Sequence, residues 1–132
     1  MIYGIGVDIE EISHLRQAAE RTPALLERVF TPDELDYCLK MPKEGAFASL
    51  TARFAAKEAF CKALGSTAGS FSWQEVEVIK LDNGQPQLHL SGQAEVYTKE
   101  EGIINIQLSL SHSKTMAAAF VVLETHKIIP NF

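Results

Sequence analysis

Hydrophobic and polar positions divide the chain into recognisable elements. Ile2 to Ile9 reads as an opening strand, with Val7 and Ile9 expected toward the core and Asp8 and Glu10 on the other face. Gly4 and Gly6 mark places in it where a second backbone or a ligand can approach closely. Ser13 suits the N-cap of a helix running to about Arg21, ended by Thr22-Pro23. Ala24 to Phe30 suits a short helical turn. Thr31-Pro32-Asp33-Glu34 then carries a full start signal: a Thr cap, Pro at the first helical position and Glu three residues after the cap. That helix should reach about Lys40. A long Ala-, Leu-, Lys- and Glu-rich stretch from Gly45 or Ala46 to Leu64 predicts the main helix, closed by Gly65 as a C-terminal cap.

The second half changes period. After a turn-like Ser66 to Ser72, residues Trp73 to Leu81 alternate as a strand. Asp82-Asn83-Gly84 is a hairpin turn, and Gln87 to Leu90 returns. Gly92 to Glu101 suits a short helix. Ile104 to Ser111 and Met116 to Leu123 form a second hairpin, turning at His112-Ser113-Lys114-Thr115. The pattern predicts an α+β fold, an antiparallel β-sheet with one long helix packed across it, as a single domain over residues 1–132.

Composition narrows the class. The 132 residues are 46% hydrophobic and 22% charged, which suits one globular domain with a modest core. No run approaches the roughly 18 apolar residues of a membrane span, and Met1-Ile2-Tyr3-Gly4 lacks the basic start of a signal peptide. No membrane association and a cytoplasmic location are therefore expected. A net charge of −5 argues against nucleic acid as a partner. Cys38 and Cys61 lack metal-ligand spacing and read as free thiols.

Some residues carry possible chemistry. Asp8 and Glu10 project from one strand face and repel unless a cation lies between them. A hard ion such as Mg²⁺ accepts one or two carboxylates together with water and phosphate oxygens, and Mn²⁺ accepts the same donors. Glu58 and Lys62 are one helical turn apart in Arg53-Phe54-Ala55-Ala56-Lys57-Glu58-Ala59-Phe60-Cys61-Lys62-Ala63-Leu64-Gly65. They suit either a simple surface ion pair or a metal ligand beside a phosphate clamp. His112, between serines, suits phosphate binding, proton transfer or an ordinary solvated loop. His14, Arg16 and Arg21 form a local basic cluster able to steer an acidic partner, although Glu11, Glu20 and Glu27 lie close enough to neutralise it. No serine-hydrolase elbow, P-loop or zincin motif is present.

Three segments together resemble the short bacterial holo-[acyl-carrier-protein] synthases of the 4′-phosphopantetheinyl transferase superfamily. They are Gly4-Ile5-Gly6-Val7-Asp8-Ile9, the Arg53–Gly65 run, and Ser109-Leu110-Ser111-His112-Ser113 followed by Met116-Ala117-Ala118-Ala119. The resemblance implies that fold and Mg²⁺-dependent transfer of phosphopantetheine from coenzyme A to a serine of apo-acyl-carrier protein, with release of adenosine 3′,5′-bisphosphate. By position it makes Asp8 and Glu58 metal ligands and Glu58 and Lys62 catalytic, while Glu10, which the resemblance does not supply, is expected within reach of the ion, directly or through water. It assigns coenzyme A to Arg53, Lys62, Gly65, His112 and Ser113, and the carrier protein to His14, Arg16 and Arg21. Its members resemble homotrimers with active sites between subunits. Position 14 often carries arginine in that family, so His14 is a departure; Glu10 is an acid where many short members have none. Competing readings are a catalytically idle binder of carrier protein or coenzyme A, and a different metal-dependent phosphoryl-transfer or phosphodiesterase enzyme.

Overall fold

Gly4 and Gly6 decide how the molecule closes. In the computed structural model, which describes residues 1–65 and 71–128, strand β1 (Ile2–Glu11) lies directly against helix α4 (Lys43–Leu64). A Cβ on Gly4 would overlap the carbonyl oxygen of Ala63, and one on Gly6 that of Ala59. Only residues without a side chain admit a helix backbone this close. The even-numbered face of β1 therefore turns inward, carrying Asp8 and Glu10 with it.

That reverses one expectation. Ile5, Val7 and Ile9 are 58%, 58% and 63% exposed, so Val7 and Ile9 do not face the core. Alternation identified the strand correctly; the glycines, not the larger apolar residues, choose which face is buried.

The other elements follow in order: α1 (Ile12–Arg21), α2 (Ala24–Val29), α3 (Pro32–Leu39), α4, β2 (Val76–Lys80), β3 (Pro86–Leu90), α5 (Gly92–Glu100), β4 (Ile103–His112) and β5 (Met116–Thr125). Two antiparallel sheets result, β1-β5-β4 and β2-β3. Ala55, Ala56, Ala59, Phe60 and Ala63 of α4 form the main core with Ala119, Val121 and Leu123 of β5 and with Val76 and Val78 of β2. Small side chains on that helix face keep α4 close to the sheet. Phe30, Leu50, Val29, Leu15 and Cys38 fill a second core beneath α1 to α3.

Two expected boundaries differ. Helix α1 starts at Ile12, with Glu11 rather than Ser13 at the N-cap and no side-chain cap. Strand β1 runs straight into the helix, and the Ile12 N–H donates to the Thr115 carbonyl at 2.9 Å. The adjoining hairpin thus satisfies the first backbone donor of the helix. Trp73–Glu75 is a 3₁₀ turn, so the following strand begins at Val76. The Glu75 carboxylate accepts the Ser72 N–H at 2.9 Å and holds that turn. The Thr31 capping box forms as expected, and Gly84 makes the β2–β3 turn with φ of 89°. Most of the anticipated Ser66–Ser72 turn lies outside the described residues.

A fully buried ion pair joins the layers. Lys57 Nζ donates to Glu34 Oε1 at 2.8 Å, to the Val76 carbonyl at 2.7 Å and to the Trp73 carbonyl at 3.1 Å. The Glu34 carboxylate also accepts the N–H groups of Thr31 and Val78, each at 2.9 Å. Burial pulls the Lys57 ammonium below its ordinary range, and Glu34 opposes the shift. With all three ammonium donors used, the pair ties α4 to α3 and to β2, and so fixes the rotation of α4 about its axis.

Candidate active site

Three carboxyl groups meet where the end of β1 crosses α4. Asp8 is 8% exposed, and Lys62 Nζ lies 3.0 Å from its Oδ1. Lys62 also donates to the Val7 carbonyl at 3.0 Å. The ammonium therefore reaches across to the strand rather than one turn back to Glu58. Asp8 Oδ2 is buried and, among the described residues, receives no N–H or alcohol donor.

The surrounding acids register the crowding. Glu10 is pushed up to about 7, first by burial, then by a hydrogen bond shared with Asp8 and by the charges of Asp8 and Glu58; Lys62 opposes the shift. Glu58 is raised by burial and then by the charge of Asp8, with Lys62 again opposing. One ammonium does not neutralise three carboxylates. Among the described residues no set of three His, Cys, Asp or Glu side chains forms a ready-made metal cage. The donors fit Mg²⁺ in another way: that ion is usually held by one or two carboxylates and completed by water and phosphate oxygens. The undonated Asp8 oxygen and the crowded Glu58 and Glu10 would gain most from such a cation.

Arg53 faces a different opening, a cavity of about 340 Å³ between α4, the β2–β3 turn and the end of β4. Its side chain is largely buried, with Nη1 donating to Ser49 Oγ at 2.5 Å and Nε buried without a partner among the described residues. His112 lines the same cavity. Sequence reasoning missed two neighbours: the Arg53 guanidinium lies 4.8 Å from the centre of the Tyr37 ring, and Lys80 Nζ lies 5.8 Å from it. These residues come from three separate elements, and no local spacing links them.

The remaining candidates disperse. Gly65 ends α4 with φ of 89°, beyond Lys62. Ser113 Oγ accepts the Met116 N–H at 3.1 Å, bracing the β4–β5 turn beside His112. Neither lines the Arg53 cavity. On α1, His14 pairs with Glu11 at 3.0 Å. Arg16 packs 5.6 Å from the centre of the Phe47 ring and lines another cavity, of about 480 Å³, with Glu11, Glu44 and Lys114. Arg21 is exposed in the last helical turn. The expected basic cluster is thus split, with acids beside two of its members.

Comparison with known proteins points the same way as the carboxylate cluster. The family model of the 4′-phosphopantetheinyl transferase superfamily matches residues 4–121. The holo-[acyl-carrier-protein] synthase of Moorella thermoacetica is 47% identical over 120 residues, covering 91% of this chain and 92% of the relative. The crystal structure of holo-[acyl-carrier-protein] synthase from Neisseria meningitidis superposes with a TM-score of 0.84 at 32% identity, covering 95% of this chain and 100% of that one. A Bacillus anthracis holo-(acyl-carrier-protein) synthase in complex with CoA (3′,5′-ADP) gives 0.78 at 35% identity, covering 95% and 98%. No helix among the described residues is long and apolar enough to cross a membrane. With most of its length and the segments around Asp8, Glu58 and His112 within these matches, the chain belongs to the 4′-phosphopantetheinyl transferase superfamily.

Proposed function

We propose that the chain is a single-domain holo-[acyl-carrier-protein] synthase that moves phosphopantetheine from coenzyme A to a serine of apo-acyl-carrier protein. The observation that carries this reading is the meeting of Asp8, Glu10, Glu58 and Lys62 at one crossing of strand and helix. The serine oxygen attacks the phosphorus on the pantetheine side of the pyrophosphate. The bond to the bridging oxygen breaks, and adenosine 3′,5′-bisphosphate leaves with the electron pair. Glu58, its basicity raised by burial and by Asp8, accepts the serine proton directly or through water. Lys62, about half exposed, is free to pivot from Asp8 onto a phosphate oxygen. Mg²⁺ held by Asp8 and Glu58, with Glu10 within reach through water, would offset charge on the phosphate oxygens. Arg53 and His112 take the nucleotide end, with Gly65 and Ser113 shaping the approach. Arg21, Arg16 and the departing His14 present α1 to an acidic carrier.

The outward face of the β1-β5-β4 sheet suits assembly. Ile5, Val7 and Ile9 lie beside Val122, Phe120 and Ala118 of β5, and Phe120 is itself 43% exposed. A contiguous apolar stripe of this kind marks a protein contact, and a homotrimer acting in the cytoplasm fits it.

The direct test incubates the protein with apo-acyl-carrier protein, coenzyme A and Mg²⁺ and weighs the carrier intact. Gain of one phosphopantetheinyl group supports transfer. Coenzyme A cleaved without a carrier would favour the phosphodiesterase reading, and coenzyme A bound but uncleaved the idle-binder reading.

A further inference from the structure

We propose that the buried Lys57–Glu34 pair is a positioning device for catalysis: it sets the register of α4 against β1 and so holds Glu58 and Lys62 opposite Asp8. This rests on the transferase reading above and adds to it two residues that touch neither substrate nor metal.

Lys57 and Glu58 are neighbours on α4, about 100° apart around the helix. Lys57 turns inward and is fully buried, while Glu58 and Lys62 reach the cluster with Asp8. One helix therefore carries both the lock and the site. Side chains extend about 5–6 Å from a helix axis, so a rotation of about 20° carries each tip about 2 Å. A misplacement of about 1 Å at the reacting groups can cost about 100-fold in rate.

The contact of α4 with β1 supplies little of that precision. Gly4 and Gly6 meet the Ala63 and Ala59 carbonyls backbone to backbone. Apart from Phe60 and Leu64, the α4 residues of the main core are alanines. Interlocking ridges of side chains ordinarily key a helix to its neighbours, and here only those two provide them.

The lock lies toward α3 and β2. Lys57 Nζ directs its three donors to Glu34 Oε1 at 2.8 Å, the Val76 carbonyl at 2.7 Å and the Trp73 carbonyl at 3.1 Å. Glu34 is itself pinned by the N–H groups of Thr31 and Val78, and the Thr31 hydroxyl donates to Glu77. Hydrogen bonds are directional where apolar contacts are not, and a satisfied buried network specifies one arrangement. Stability alone does not call for the pair, because uncharged side chains of similar size can replace a buried ion pair at little cost. What the pair supplies is geometry.

The test compares wild type with the double variant Lys57→Met, Glu34→Gln, which removes both charges and leaves an acceptor for the Val78 N–H. Transfer is followed by the intact mass of the carrier at saturating coenzyme A and Mg²⁺. The rise in melting temperature on adding Mg²⁺ without substrate is a second readout. The double variant should melt close to wild type in EDTA and lower kcat by about 10- to 100-fold. Its Mg²⁺-induced rise should be smaller, because Glu58 no longer stands opposite Asp8. A merely structural role gives the reverse pattern: a lower melting temperature in EDTA, with kcat and the Mg²⁺-induced rise kept well below the melt. Val29→Ala, in the second core, supplies that pattern as a control.

A double variant that folds and keeps wild-type kcat overturns the positioning role, while the transferase reading stands. If the double variant does not fold, Thr31→Val decides. It loosens the Glu34 end of the lock, leaves the buried pair in place and should lower kcat in the same direction; an unchanged kcat overturns the proposal. If wild type transfers nothing, the transferase reading fails, and a Mg²⁺-induced rise that the double variant retains in full then sinks the positioning role separately. With neither transfer nor a Mg²⁺-induced rise in wild type, both fall.

Discussion

Lys62 is bonded to Asp8 on the facing strand, at 3.0 Å, and not to Glu58 one turn away on its own helix. The ammonium thus sits on the carboxylate whose second oxygen is buried without a donor among the described residues, and it opposes the upward shift of Glu58 by charge alone. In the proposed mechanism its role is electrostatic, so Lys62→Ala should lower kcat by about 100-fold. The fold should survive, since the Lys62 side chain is about half exposed, but the largely buried Asp8 carboxylate loses its cation at a cost of about 1–3 kcal/mol. Steady-state kinetics beside a thermal melt checks both halves. A variant that keeps its turnover would remove Lys62 from the catalytic set.

Close approach of β1 to α4 predicts opposite effects for two Gly→Ala changes. At Gly6 the new Cβ overlaps the Ala59 carbonyl oxygen, so Gly6→Ala should destabilise by at least about 2 kcal/mol. At Gly45, inside α4, the nearest atom is Met41 Cβ at 3.8 Å. Gly45→Ala should stabilise by about 0.5–1 kcal/mol through the lost freedom of the unfolded chain. Urea unfolding of both variants measures the contrast.

The carboxylate crowding gives a signed pH dependence in chelator. An unfolded Glu10 ionises near its ordinary 4.5, and the folded one near 7. Between those values the folded state binds more protons, so stability falls as pH rises and levels off above about 7. Glu10→Gln should remove that part of the slope. The difference in melting temperature between wild type and variant, followed from pH 4.5 to 8 in EDTA, isolates it. Added Mg²⁺ at pH 6.5 should also release protons from wild type, read by calorimetry in buffers of different ionisation enthalpy.

How much of this was legible in sequence depended on the range of each signal. Thr31-Pro32-Asp33-Glu34 and Asp82-Asn83-Gly84 act within four residues, and both did locally what their chemistry dictates. Asp8 and Glu10 share one face because strand geometry alone sets that. The side that face takes was not legible: larger apolar residues at 5, 7 and 9 suggested the core, while the glycines opposite them bind a helix backbone. Lys57 reads as an ordinary helix-surface lysine until Glu34, 23 residues earlier, is brought beneath it. The pairing of Arg53 with Tyr37 and Lys80 likewise exists only in three dimensions.

The exposed stripe of β1 offers a separate test of assembly. Val7 lies in register with Phe120 and points away from the core. Val7→Glu should lower the mass measured by light scattering from three chains toward one, with little loss of secondary structure. Charge in a desolvated apolar contact opposes association. An unchanged mass would place the contact elsewhere.

The most direct measurement is the intact mass of apo-acyl-carrier protein after incubation with coenzyme A and either wild type or Asp8→Asn. Wild type should add one phosphopantetheinyl group in Mg²⁺ and none in EDTA. Asp8→Asn keeps the shape of the side chain and removes its charge, and should cut the rate by at least about 100-fold. Full modification by Asp8→Asn, or by wild type in EDTA, would contradict a metal-assisted transfer centred on Asp8.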